Sequence, residues 1–199
     1  NFLGDGVMAS SEYSNVGASL AGYLVEAVTG QDFAEYCDQN IFAALGMNDT
    51  AWHLADLDVD SLAVPYEWYS GDWNALEHYG YPDYPDGALR SGAEPVARFL
   101  TMFASNGTLD ETTILAADSV DEMRTVHYPS LDEGQGLIWY SWQFNGESIT
   151  GHNGGDSGVS TEIGINDDGV GFVVLMNAAG RNNTLSSIEA VLMEAAAEL

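Results

Sequence analysis

The stretch Glu12-Tyr13-Ser14-Asn15-Val16-Gly17 sets a phenol and a carboxamide two residues apart where a loop runs into a helix. The helix follows from what comes next. Val16, Leu20, Leu24 and Ala27 recur every three or four residues, the period of one face turned to a core, and Gly30 supplies a stop. Tyr13 and Asn15 therefore stand at a helix mouth, where a polar pair can face a pocket. A tyrosine hydroxyl can pass a proton, and an asparagine amide can both donate to and accept from a substrate amide, so the pair suits acyl transfer. The plainer alternative is a Ser14 or Asn15 helix cap beside a core tyrosine.

Working outward, Gln31 or Asp32 can open a second helix to about Ala44, with Phe33, Tyr36, Cys37 and Ile41 on one face and a stop at Gly46. Cys37 is the single cysteine, so no intrachain disulfide forms, and its place on an apolar face marks a buried structural thiol. From Asn48 to Gly92 the periodicity fades and Trp, Tyr, Pro, Gly and Asp crowd together, which reads as a long ordered aromatic loop region. Within it, Asp56, Asp58, Asp60 and Glu67 copy the carboxylate spacing of a calcium-binding loop. Ser61 stands where that loop needs glycine and Pro65 interrupts it, so the stretch is an acidic surface loop. Ser91-Gly92-Ala93-Glu94 has the form of a capping box ahead of a helix with Val96, Phe99, Leu100 and Phe103 inward, and a short helix follows over Ala117 to Arg124.

At Gly136 the period changes from helical to alternating. Strands are expected over Leu137 to Trp142, Glu147 to Gly151, Val159 to Ile165 and Val170 to Met176, with Asn166-Asp167-Asp168-Gly169 as a hairpin turn. A terminal helix with Leu185, Ile188, Val191, Leu192 and Ala195 on one face can lie on that meander. The fold class is thus α+β: a mainly helical and loop part over residues 1–135, then an antiparallel sheet and a C-terminal helix over 136–199, together one domain or most of one.

Composition narrows the partners. The 199 residues are 46% hydrophobic, enough for a sizeable core, and no run reaches the length of a membrane span. Four arginines face 31 acidic residues, there is no lysine, and the net charge is -27. Nucleic acid and anionic membrane are excluded as partners on that balance, and so acidic a surface points to a salt-loving source. The sequons at Asn48, Asn106 and Asn182 show only that glycosylation is chemically possible.

The second constellation is Gly151-His152-Asn153-Gly154-Gly155-Asp156-Ser157-Gly158, expected to join two strands, where glycines let a substrate approach the backbone and a backbone N–H can polarise a carbonyl. His152 can donate a hydrogen bond or orient a carboxylate. Taken in order, these features resemble the penicillin-recognising serine hydrolases, in the branch of class C β-lactamases, D-Ala-D-Ala carboxypeptidases and related esterases. Tyr13-Ser14-Asn15 looks like that branch's Tyr-x-Asn motif, and Leu45-Gly46-Met47-Asn48-Asp49-Thr50 like its sequel. Pro85 to Ser91 is similar to its glycine, leucine and serine signature, and His152-Asn153-Gly154 to its Lys/His-Thr/Ser-Gly motif.

The resemblance implies a β-lactamase/transpeptidase-like fold, an extracytoplasmic or secreted protein, no cofactor, and a small-molecule or peptide substrate attacked by a serine in Ser-x-x-Lys. That motif cannot be here, because the chain has no lysine. In the family it lies upstream of Tyr-x-Asn, so the chain is expected to be the C-terminal portion of a catalytic domain, incomplete on its N-terminal side and partnered by the missing portion. By the same resemblance Tyr13 acts as general base and acid, Asn15 binds the substrate amide, His152 orients the substrate, and the Gly154-Gly155 backbone supplies an oxyanion donor. Asn153 in place of Thr or Ser, and His152 in place of lysine, bring an esterase or peptidase level with a penicillin hydrolase, so the expected substrate is an ester, an amide or a β-lactam. An inactive binding or structural domain is the alternative.

Two other classes fare worse. Gly155-Asp156-Ser157-Gly158 copies the nucleophile sequence of trypsin-like proteases, but those draw histidine and aspartate from an upstream β-barrel, and the upstream half here is helical. His53, His78, His127 and His152 have no paired metal-ligand spacing.

Overall fold

The computed structural model describes residues 12–180 and 184–196. Helix α1 (Asn15–Thr29) begins where Ser14, extended at φ -147°, accepts the Gly17 N–H on its Oγ at 3.1 Å. It ends at Gly30, whose φ of 72° is the left-handed conformation that terminates helices without strain. Its orientation reverses the expectation. The covered stripe is Ala18, Ser19, Gly22, Val25 and Glu26, while Val16 (68% exposed), Leu20 (55%) and Leu24 (54%) face outward. Small residues are needed on the covered side because another segment comes so close: a Cβ on Gly22 would stand 2.7 Å from Pro85, and Ser19 Oγ donates to the Asp83 carbonyl at 3.0 Å.

The second helical segment starts at Asp32, whose carboxylate accepts the Ala34 and Glu35 N–H groups. It comprises α2 (Phe33–Cys37), a π-helical turn (Asp38–Phe42) and α3 (Ala43–Leu45). The extra residue of the π turn shifts the buried face. Phe42 and Leu45 join Cys37, Met47 and Met102 in the core, and Ile41 is left half-buried. Burial pushes the Cys37 thiol up to about 11, in keeping with an inert structural cysteine.

The aromatic region is more regular than expected. A hairpin of β1 (Tyr66–Tyr69) and β2 (Asp72–Ala75) pairs Trp68 with Trp73, strands too short for their alternation to stand out. Asp56, Asp58 and Asp60 fall on two single 3-10 turns, with Asp58 capping the second. Helix α4 (Ala93–Ala104) takes Gly92 rather than Ser91 as its N-cap and has no side-chain cap. The expected capping box does not form, because Ser91 Oγ lies 2.6 Å from Thr50 Oγ1. A two-residue hairpin, β3 (Thr108–Leu109) with β4 (Thr112–Thr113), and helix α5 (Ala117–Arg124) complete this part.

The sheet is an antiparallel meander in the order β5 (Tyr140–Phe144), β6 (Glu147–Asp156), β7 (Val159–Asn166), β8 (Gly171–Met176). Side chains alternate between two cores. On one face Ile163, Ile165 and Val173 meet Leu100, Phe103, Val120 and Trp139, and Phe103 stacks on Trp139 with centroids 3.9 Å apart. On the other, Ile149, Phe172 and Val174 meet α6 (Thr184–Ala196) through Leu185, Ile188 and Met193. Val191, expected inward, is exposed. Glu189 is buried instead, because its carboxylate accepts the Trp142 indole N–H at 3.1 Å.

Two strand boundaries move. Leu137 and Ile138 are exposed and lie before β5, with Ile138 at φ 69°. Strand β6 continues through Asp156, so the glycine-rich stretch is strand rather than connection, and the turn is Ser157-Gly158 alone. Of the sequons, Asn182 lies outside the described residues.

Candidate active site

The capped start of α1 and the middle of β6 bring two of the motif side chains together. Tyr13 precedes the Ser14 cap and stands 77% exposed, and its ring centroid lies 6.3 Å from that of His152. His152 pairs with Ile163 across β6 and β7, which puts it on the sheet face that meets α4. The plainer reading of Tyr13 as a core residue is therefore wrong, and Ser14 holds the cap. Asn15 is the first residue of α1, and its carbonyl accepts the Ser19 hydroxyl at 3.1 Å.

The imidazole is oriented by its own strand. His152 Nδ1 lies 2.6 Å from the Asn153 carbonyl oxygen. A carbonyl can only accept, so Nδ1 carries the proton and Nε2 of the neutral ring is the acceptor. Asn153, paired with Glu162, lies on the opposite sheet face and is not beside His152 in the cleft. The two glycines also part company. A Cβ on Gly154 would meet Thr161 Oγ1 at 2.5 Å, so that residue is packed against β7, whereas Gly155 has open space around it. Because β5 begins at Tyr140, opposite Gly151, residues 152–156 of β6 have no β5 partner on that edge.

One neighbour escapes the motif reading. Tyr140 packs edge-on against the His152 ring with centroids 5.3 Å apart, at an interplanar angle of 67°. The available signal was its register opposite the glycine before His152, visible only once the β5 boundary is known. Burial pushes its phenol up, the Glu162 carboxylate adds to that, and the Asn153 backbone, hydrogen-bonded to it, acts in the other direction. Past the end of the strand, the Tyr79 hydroxyl donates to the Ser157 carbonyl at 2.9 Å. Burial, then Asp156, pushes that phenol up to about 12.

Among the described residues, fixed positive charge lies elsewhere. Arg90 donates to the carbonyls of Ala88 and Tyr79, Arg98 to Leu45 and the Asp110 carboxylate, and Arg124 sits over the Phe103 ring at 4.7 Å. Among the described residues no group of three or more His, Cys, Asp or Glu is placed to hold a metal ion. No described helix is long and apolar enough to cross a membrane.

Comparison with known proteins meets this geometry. The model of the family described as Beta-lactamase matches residues 9–197. The chain belongs to that family. The beta-lactamase-family chain is 28% identical over 186 residues to the Unguisins hydrolase ungD' of Aspergillus campestris, covering 88% of itself and 34% of that protein. It is 26% identical over 166 residues to Penicillin-binding protein 4 of Amycolatopsis lactamdurans, covering 73% and 41% respectively. Its fold is that of the octameric penicillin-binding protein homologue from Pyrococcus abyssi, with a TM-score of 0.76 at 24% identity over 92% of this chain and 42% of that one. The chain thus spans well under half the length of these relatives.

Proposed function

We propose that this chain is the C-terminal part of a serine hydrolase that works through an acyl-enzyme on an ester or amide. In this reading Tyr13 is general base and acid, Asn15 and His152 orient the substrate, and the Gly155 N–H is one oxyanion donor. The observation that carries it is the Tyr13 ring, its centroid 6.3 Å from that of His152, at a strand edge that has no partner among the described residues. A nucleophile has to approach that phenol, and the serine with its lysine would come from the stretch of the relatives that lies outside this span.

Two surfaces support such a partner. Val16, Leu20, Tyr23, Leu24 and Val28 make a contiguous exposed apolar face on α1, and faces of that kind mark sites where another protein element packs. The outer edge of β8 is unpaired among the described residues and is flanked by a groove of about 600 Å³ between Ala97 and Leu100 of α4 and Leu192 of α6. None of the groove's lining belongs to the candidate site. With His152 where the family's motif allows lysine and Asn153 turned to the other sheet face, an uncharged ester or peptide acyl group suits the cleft better than a β-lactam carboxylate.

The test uses the full-length protein, with the upstream segment, on chromogenic esters, peptide amides and a cephalosporin. Ester or amide turnover is expected, with Tyr13→Phe lowering kcat/KM by about 10²- to 10⁴-fold, the usual worth of a general base. A folded full-length protein that turns over none of these substrates would leave the binding or structural domain as the better reading.

A further inference from the structure

Strand β5 reaches the site with a single side chain. Tyr140 is its first residue and lies opposite Gly151, so it is the last β5 residue beside the edge of β6 before that edge opens at residues 152–156. Its ring sits between two others. On one side is Trp142, with centroids 5.3 Å apart, and on the other is His152, also at 5.3 Å. Trp142 is itself tied down by the Glu189 carboxylate. The Asn153 backbone N–H is directed at the Tyr140 phenol oxygen, and the Asn153 carbonyl accepts the His152 Nδ1–H. One side chain therefore touches both the imidazole and the residue that fixes the imidazole's proton.

We infer that Tyr140 is a positioning residue of the site, holding His152 in the tautomer with its proton on Nδ1 and so making Nε2 the proton-accepting nitrogen beside Tyr13. The inference rests on the proposed reading of Tyr13 and His152 for its catalytic meaning, but not for its geometry. A histidine side chain free in water favours the proton on Nε2; the Asn153 carbonyl bonds only the Nδ1–H tautomer, which reverses that preference, and the Tyr140 ring packed edge-on holds the imidazole where that bond is made. The consequence for chemistry is a bare, proton-accepting Nε2 on the ring that neighbours Tyr13. Tyr140 does not compete for that role, since burial and the Glu162 carboxylate keep its own phenol protonated.

The tautomer is read directly on the ¹⁵N-labelled chain by long-range proton–nitrogen correlation of the imidazole at about pH 8, above the ordinary histidine range, with His152→Gln for assignment. In the unaltered chain His152 is expected to show a protonated Nδ1 and a bare Nε2. Tyr140→Leu, which removes ring and hydroxyl, should raise the Nε2–H fraction several-fold, and Tyr140→Phe, which keeps the ring, should raise it less. Near-UV circular dichroism checks that the variants are folded, and if the leucine variant is not, the phenylalanine variant decides. A protonated Nε2 in the unaltered chain, or no change of tautomer in a folded variant, overturns the inference. In the full-length protein the same variants should lower kcat and alter the acidic limb of the pH profile, with KM within about twofold. An inert full-length protein whose tautomer still responds to Tyr140 would sink the hydrolase reading and leave this one standing.

Discussion

Helices α1 and α4 carry apolar residues at the same helical spacing, yet the chain buries one stripe and leaves the other in water. In α4, Leu100 and Phe103 are buried among Trp139, Val120 and the sheet, and Met102 among Cys37, Phe42, Leu45 and Met47. In α1 only Gly22 is buried, on a stripe of small and polar residues against the 83–86 segment, and Val16, Leu20 and Leu24 point outward. Periodicity reports that a helix face is apolar, not what covers it. The two helices should therefore answer truncation very differently. Phe103→Ala removes a wholly buried ring stacked on Trp139 and is expected to cost about 3–5 kcal/mol in denaturant unfolding of this chain. Leu24→Ala should stay within about 0.5 kcal/mol here. In the full-length protein, if a further segment covers α1, the same change should cost about 2–5 kcal/mol. Equal, small effects of Leu24→Ala in both would end the idea that α1 is a covered helix in the whole protein.

The two faces of the sheet differ in a second way. The α4 face is apolar around Phe103, whereas the α6 face includes two carboxyl groups, Glu189 bound to the Trp142 indole and Glu162 with a buried Oε2 that has no hydrogen-bond partner. Burial raises both above the ordinary glutamate range, and in Glu162 the neighbouring Glu189 adds to it. A carboxyl group whose folded pKa is raised is at its most favourable below the unfolded value, and that contribution is lost as pH rises through the folded one. Unfolding free energy should thus fall across that window, and Glu162→Gln should flatten the fall, with its largest gain at neutral pH and none in acid. An unchanged slope in the variant would show that Glu162 ionises freely in the folded chain.

How far the sequence could be read follows the same division. Elements whose pattern is completed within the chain were legible: the meander with its Asn166 turn, α4, α5, and the Ser14 and Gly30 ends of α1 all follow from local spacing and cap chemistry. The candidate site was legible as motifs, since Tyr13 and His152 do meet. What was not legible depended on tertiary neighbours. The π turn that exchanges Ile41 for Phe42, the loss of the Ser91 capping box to Thr50, and the burial of Glu189 under Trp142 are each decided by a partner distant in sequence or by one inserted residue. Tyr140 was missed for the same reason, its strand starting later than the apolar run suggests.

That late start is where exposure has a third cause. Ile138 is 61% exposed, like the α1 face, but its φ of 69° is a conformation that a β-branched residue adopts only under strain. The strain follows from its neighbours: Trp139 must turn inward onto Phe103 while Gly136 N–H donates to the Trp139 carbonyl at 2.8 Å, which closes a tight turn around Ile138. Strain of this kind costs about 1–3 kcal/mol, and glycine would remove it at an entropic cost of about 0.5–1 kcal/mol. Ile138→Gly is therefore expected to stabilise this chain by about 0.5–1 kcal/mol, seen as a rise of about 1–4 °C in Tm for a domain of this size. A drop in Tm instead would mean that the isoleucine side chain contributes packing that outweighs its backbone strain, and would group Ile138 with the covered residues around Trp139. Neutrality in this chain joined to a loss in the full-length protein would group it with Leu24, as a residue whose neighbours lie outside this span.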